Sequence, residues 1–220
     1  MNASKRPRRL YRYVIDHDKG FAPNPFFKVC TLACCKPVIR KGAEIGDVIV
    51  GYGPAKHELS GQIIYWMMID EIMRFDDYWK EPEFEKKRPR PGGSLMLNFG
   101  DNIYHRAPGG GWVQERSFHS DANSLTGGGN LKRDTGCTDR VLIGRDFAYW
   151  GAKGPRPPAQ FKEFVWNGRG QVYKVASEER KEAFIGWLQD LPDRGLMADP
   201  ADWSLDTKVR QLLCPEPATC

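Results

Sequence analysis

Residues 63–69 read Ile-Ile-Tyr-Trp-Met-Met-Ile, seven apolar side chains in a row in a chain that is 28% charged. A continuous apolar run has no polar face to turn to water, so it is a fully buried strand or a piece of buried helix. Its short length and two leading β-branched residues favour the strand. Shorter strand patterns surround it. Residues 10–15 (LYRYVI) alternate, 47–50 (DVIV) form a short buried run closed by Gly51-Tyr52-Gly53, and 140–150 (RVLIGRDFAYW) predict a strand bulged at Gly144. Residues 94–99 (SLMLNF) predict a further strand. With 23 Gly and 16 Pro among 220 residues, the chain exceeds the roughly 12% share typical of globular proteins. That composition favours strands and long turns over a helical bundle.

The remaining segments are read from turn and cap chemistry. Residues 16–25 are loop, 26–36 hold a short helix that Pro37 stops, and 42–46 turn. Asp76 is a plausible cap for a short helical turn, and 82–93 are loop. Residues 100–136 carry Gly109-Gly110-Gly111 and Gly127-Gly128-Gly129 with no periodicity, a long loop of the kind that is usually functional or disordered. Ser177 caps a helix with Glu178 and Glu179 in its first turn; Phe184, Trp187, Leu188 and Leu191 form one stripe, and Pro192 ends it. A last helix is expected over 204–213. Strands first and helices last make an α+β protein. Three parts are expected: a flexible basic arm over 1–9, one domain over 10–175, and a helical extension over 176–220 packed on it.

Seven Trp, eight Tyr and eleven Phe can fill a real core, which disfavours disorder. No apolar run approaches the ~18 residues of a membrane span, and no apolar stretch follows the basic start, so neither membrane insertion nor a secretory leader is expected. Net charge is +5, yet the first twelve residues hold Lys5, Arg6, Arg8, Arg9 and Arg12 and no acid. Everything after them is balanced, so the basic character belongs to a leader and not to a face of the fold. That leader and Lys86-Lys87-Arg88-Pro89-Arg90 are candidate phosphate contacts or merely solvated segments. Cys30, Cys34, Cys35, Cys137, Cys214 and Cys220 show no zinc spacing. A reducing cytoplasm, small core-filling thiols, no metal and no cofactor are the expectations. Dinucleotide, Walker, zincin and nucleophile-elbow motifs are absent.

Two stretches carry a resemblance. The first runs through Gly20-Phe21-Ala22-Pro23-Asn24-Pro25-Phe26, Cys30-Thr31-Leu32-Ala33-Cys34-Cys35-Lys36-Pro37-Val38-Ile39-Arg40 and Gly46-Asp47-Val48-Ile49-Val50-Gly51. The second holds Gly100-Asp101-Asn102-Ile103-Tyr104-His105-Arg106 and Arg140-Val141-Leu142-Ile143-Gly144-Arg145-Asp146-Phe147. Both resemble the second of the bacterial and phage nucleotide modification associated domain families. The order of elements is also similar to base-binding barrels of the PUA, ASCH and EVE type. These resemblances imply a small mixed, barrel-like (PUA-like) sheet with short helices and a C-terminal helical extension, and a role with modified DNA bases.

The candidate site residues follow. Tyr104-His105-Arg106 beside the Gly-rich loop offers an acid–base group and a base or phosphate contact. Ser117, His119 and Asp121 share one face of an extended segment, and Ser117 with His119 makes a conceivable nucleophile–base pair. Lys36 and Arg40, with Asn24, would line a pocket mouth for an anion or base edge. Tyr52 between two glycines is the preferred aromatic pocket residue, with Trp79 also considered and Trp66 assigned to the core. Arg145 completes the binding set.

Three functions stay open: recognition of a modified base or nucleotide in a DNA-modification or phage-defence system, an enzyme with His105 or His119 as general acid/base, and a module whose C-terminal helices dock a protein partner.

Overall fold

A computed structural model describes residues 6–120, 128–168, 171–172 and 177–205. In chain order the elements are β1 (Leu10–Val14), β2 (Cys30–Leu32), α1 (Pro37–Gly42), β3 (Val48–Tyr52), β4 (Ile63–Met68) and β5 (Glu71–Met73). Then come α2 (Phe75–Lys80), α3 (Leu95–Asn98), β6 (Tyr104–Arg106), β7 (Trp112–Gln114), α4 (Gly129–Thr135) and β8 (Val141–Gly144). The chain continues through β9 (Phe147–Tyr149), β10 (Gln171–Val172), α5 (Glu178–Asp190), β11 (Gly195–Leu196) and α6 (Ala201–Leu205).

Six strands form one mixed sheet in the order β10-β1-β3-β4-β9-β11, and a second sheet runs β2-β8-β5. β1 and β3 are parallel, and the long crossover such a pair needs contains β2 and α1. The fold is α+β, with two open sheets that do not close into a barrel.

The apolar run is the centre of the large sheet, paired on both edges, by β3 and by β9. Alternation sends its side chains to two cores. Tyr65 and Met67, with Tyr13 and Tyr149, pack on Cys30, Leu32 and Leu142 of the second sheet. Trp66, with Val50 and Tyr52, packs on Phe164 and on Phe184, Ile185 and Leu188 of α5. The apolar stripe of α5 is therefore packed on the large sheet, with Trp187 and Leu191 partly buried at its edge. The far side of the second sheet (Val141, Ile143) meets Phe75, Tyr78, Phe99 and Tyr104.

Gly51 lies under the Tyr65 ring, and a Cβ there would collide with that ring and with Ile15. We expect Gly51→Ala to cost about 1–3 kcal/mol in urea unfolding, because both neighbours are buried and the core must shift.

Several local expectations are corrected. Pro37 opens a helix instead of stopping one: its missing N–H costs nothing at the first helical position and its φ is preset. In place of the strand expected over 94–99, Leu95–Asn98 form the short helix α3, because Leu95 and Phe99, one turn apart, reach the same core. Residues 140–150 are two strands in different sheets; Asp70 holds the backbone N–H groups of Arg145 and Asp146 at the turn between them. Asp76 does not cap α2; it accepts from the Arg106 N–H, while Asp139 takes the Phe75 N–H. Within 100–136 lie the β6–β7 hairpin and α4.

Ser177 caps α5 by accepting from the Arg180 N–H. The 175/176 boundary and residues 206–213 of the last expected helix fall outside the described residues. Residues 6–9 lie on the body: Arg6 pairs with Asp47 at 2.8 Å and Arg8 with Glu182 at 2.6 Å. Among the described residues no helix is long and apolar enough to cross a membrane.

Candidate functional site

A cavity of about 480 Å³ opens between the loop after β1 and the loop before α4, lined by Asp16, Lys19, Phe21, Cys35, Lys36, Phe118, His119 and Arg133 among others. That volume suits a small organic ligand. Its walls combine aromatic faces with cations although the body as a whole is balanced in charge. Phe118 stays 51% exposed, packs edge-on against Phe99, and carries the Lys19 ammonium 4.4 Å over its ring. The Lys36 ammonium sits 4.4 Å over the Tyr13 ring, and burial lowers its pKa.

At the inner wall the Cys35 sulfur, a His119 ring nitrogen and an Asp134 oxygen all lie within 4.8 Å of one another. Asp134 is buried at the end of α4 and serves both partners. Its Oδ1 accepts from the Cys35 backbone N–H at 3.0 Å, and its Oδ2 lies 2.9 Å from His119 Nε2 and accepts from the Tyr104 hydroxyl at 3.1 Å. Burial opposes the Asp134 charge, but His119 and Arg133 outweigh it and hold the carboxyl below its ordinary value. Burial likewise opposes the His119 charge, yet bonds to Asp134 and Cys35 raise its pKa to about 9. Phe21 covers the imidazole face at 4.7 Å between centroids.

The Arg133 guanidinium lies 2.8 Å from His119 Nε2 and 3.7 Å from the Cys35 sulfur. His119 Nε2 therefore has a partner in either state: as N–H it donates to Asp134, and bare it accepts from Arg133. Cys35, His119 and Asp134 are a conceivable metal-ligand set. They do not fit one here, because a fixed cation already faces the sulfur and nitrogen, and the carboxylate is engaged by N–H and O–H donors.

The backbone at this wall is unusual. Cys35 and Lys36 both adopt left-handed conformations, with φ of 57° and 42°. Such angles are costly for residues with a Cβ and recur at functional sites. Asp134 holds the Cys35 N–H, and Arg40 Nε donates to the Cys35 carbonyl at 2.8 Å.

The sequence-derived candidates scatter around this cavity. His119 and Lys36 line it. Arg40 is buried behind it, donating to the Cys35, Arg140 and Asp134 carbonyls, so it positions the wall and touches no ligand. Tyr104 supports Asp134. Ser117 Oγ accepts from the His119 backbone N–H and bonds Ser120, so it shapes a turn and does not pair with the imidazole. Asp121 lies outside the described residues.

His105 belongs to a separate surface cluster, stacked on Trp79 at 4.3 Å and paired with Glu115 at 2.8 Å. Asn24 is buried and bonded to Lys87 and the Phe99 carbonyl. Tyr52 is buried on the opposite face of the large sheet, donating to the Phe164 carbonyl; its flanking glycines serve strand packing. Arg106 lies over Trp112, and Arg145 pairs with Glu71 and Glu83, all at the surface.

Cys35 and Asp134 escaped sequence reasoning. Nothing near Cys35 in the chain announces a histidine that is 84 positions away. Cys30 and Cys34 do fill the core, and burial raises both thiols.

No curated protein matches the chain in sequence. Two solved structures show likeness. The ASCH protein from Zymomonas mobilis is 9% identical, with 85% of this chain and 97% of that chain covered and a TM-score of 0.32. A mutant of the Zymomonas mobilis ASCH protein is 10% identical, with 81% and 99% covered and a TM-score of 0.33. The walls of the cavity, from Asp16 to Arg133, lie within residues 7–207, which match the model of nucleotide modification associated domain 2, and the chain belongs to that family.

Proposed function

We propose that the cavity binds a nucleotide, free or turned out of a single strand, and that this is how the protein recognises a modified base within a DNA-modification or phage-defence system. Membership of a nucleotide modification family supports the ligand class. The observation that carries the reading is Phe118, an exposed aromatic ring beside Lys19 at a cavity whose walls also hold Lys36, Arg133 and His119, with Asp16 the one carboxylate among the described residues that line it. A base stacks on an aromatic face, and a phosphate pairs with the cations. The expected basic arm contributes less, since Arg6 and Arg8 already face carboxylates.

Calorimetric titration with nucleoside monophosphates and with single-stranded oligonucleotides, plain and base-modified, tests this across salt. Phe118→Ala should weaken binding by about 1–3 kcal/mol, the worth of one stacked base. Lys36→Ala should lower the slope of log K against log salt by about 0.7 on a single strand. Absence of binding by the unaltered chain to every nucleotide and strand at low salt would overturn the reading.

A further inference from the structure

We infer that Cys35 is a nucleophile toward a pyrimidine base held in this cavity, with His119 as its proton carrier and Asp134 positioning both; the inference rests on the nucleotide reading above. Three observations converge. Cys35 is a half-buried free thiol on a residue that lines the cavity, while Cys30 and Cys34 are sealed in the core. A His119 ring nitrogen and the buried Asp134 carboxylate, 2.9 Å apart, both lie within 4.8 Å of the Cys35 sulfur, so an acid–base group stands beside the thiol. The Cys35 peptide is held in a left-handed conformation from both ends by Asp134 and Arg40.

The substrate class follows from what a nucleotide offers to sulfur. Phosphorus is shielded by anionic oxygens, and a sugar carbon must expel a leaving group. Ring carbon C6 of a pyrimidine is conjugated to C4, polarisable and open to reversible addition. The thiol proton goes to solvent, Cys35 attacks as the thiolate beside the charged His119 imidazolium, and the S–C6 bond forms. The C5=C6 electron pair moves through C4 onto its oxygen, or onto the corresponding nitrogen side in cytosine. The cationic wall of Lys36 and Arg133 faces the charge that develops. The imidazolium then gives its proton to C5. In reverse, His119 removes a proton from C5 and the sulfur leaves, so the ring is restored with no oxidant, reductant or co-reactant. Arg133 and Asp134 offer His119 a partner in each protonation state.

The test is exchange of the C5 hydrogen. The full chain is incubated in D₂O with dUMP, dCMP or a pyrimidine oligonucleotide, and loss of H5 is followed by proton NMR while calorimetry records binding to the same compounds. Unaltered protein should exchange H5 at least about 100-fold faster than Cys35→Ala or His119→Ala, the usual reach of a nucleophile with its acid–base partner. Cys35→Ser, nearly isosteric, repeats the loss in a variant whose fold circular dichroism checks. In parallel, iodoacetamide should label Cys35 before the exposed Cys137, and His119→Gln should slow Cys35 without slowing Cys137.

Binding by the unaltered chain with no H5 exchange in any pyrimidine overturns the nucleophile and leaves nucleotide recognition standing. Exchange that persists in Cys35→Ala also overturns it. No binding at all removes both readings.

Discussion

Asp134→Ala is expected to destabilise the protein by about 3–5 kcal/mol in urea unfolding, the usual result of removing one partner from a buried ionic network. The side chain is fully buried and answers Cys35 N–H, His119, the Tyr104 hydroxyl and Arg133 together, so truncation strands several polar groups at once. Asp134→Asn keeps the volume and separates charge from packing. In that variant the His119 midpoint, followed by proton NMR, should fall from about 9 toward the ordinary imidazole value, because the largest favourable influence on the imidazolium is gone.

The sign of the pH effect follows. A histidine whose folded pKa is raised stabilises fully below its ordinary value of 6.5, and that stability is lost as pH rises through about 9. Stability of the unaltered protein should therefore decline across that window, and the decline should shrink in Asp134→Asn. Unchanged pH dependence in the variant would contradict the assignment of His119 to Asp134.

Lys87→Ala is expected to cost a similar amount, about 3–5 kcal/mol, for a different reason. Lys87 belongs to the basic cluster over 86–90, but its ammonium is fully buried and donates to the Asn24 carbonyl at 3.0 Å, Asn24 Oδ1 at 2.7 Å and the Val29 carbonyl at 2.9 Å. It cannot reach a phosphate, and truncation removes a buried charged donor from three acceptors at once. Burial lowers its pKa to about 8, against the pull of Asp101. For a lysine this means that holding the charge is costly below about 8 and that the cost is relieved as pH rises toward 10.5. The relief opposes the His119 loss above about 8, so Lys87→Met should show a steeper alkaline decline than the unaltered protein. Lys87→Met also keeps most of the volume, so a loss of stability close to that of Lys87→Ala would assign the effect to the hydrogen bonds. A change of less than ~0.5 kcal/mol, typical of a surface site, would refute the buried role.

Local chemistry was legible wherever a residue's own neighbours decide its conformation. Residues 63–69 had to be buried because the run offers no polar face, its length and β-branched start favoured the strand that forms, and Ser177 with two glutamates pointed to a helix start. The family motif was also readable, since it is written in consecutive residues. Pro37 was misread because a proline is compatible with stopping or starting a helix, and residues 94–99 because a short apolar stretch fits a strand or a helix; the choice is made by which core the next side chains reach. Tyr52 was misread because glycines permit close approach to a ligand or to a neighbouring strand alike, and only the sheet says which. Among the site residues, His119 and Lys36 could be suspected from residue type alone. Their assembly with Cys35 and Asp134 could not, because Cys35 comes from the middle of the β1–β3 crossover, between β2 and α1, while His119 and Asp134 come from a loop and a short helix more than 80 positions further on. Sheet pairing and a buried carboxylate brought them within 4.8 Å, and such long-range contacts have no period or spacing to betray them in sequence.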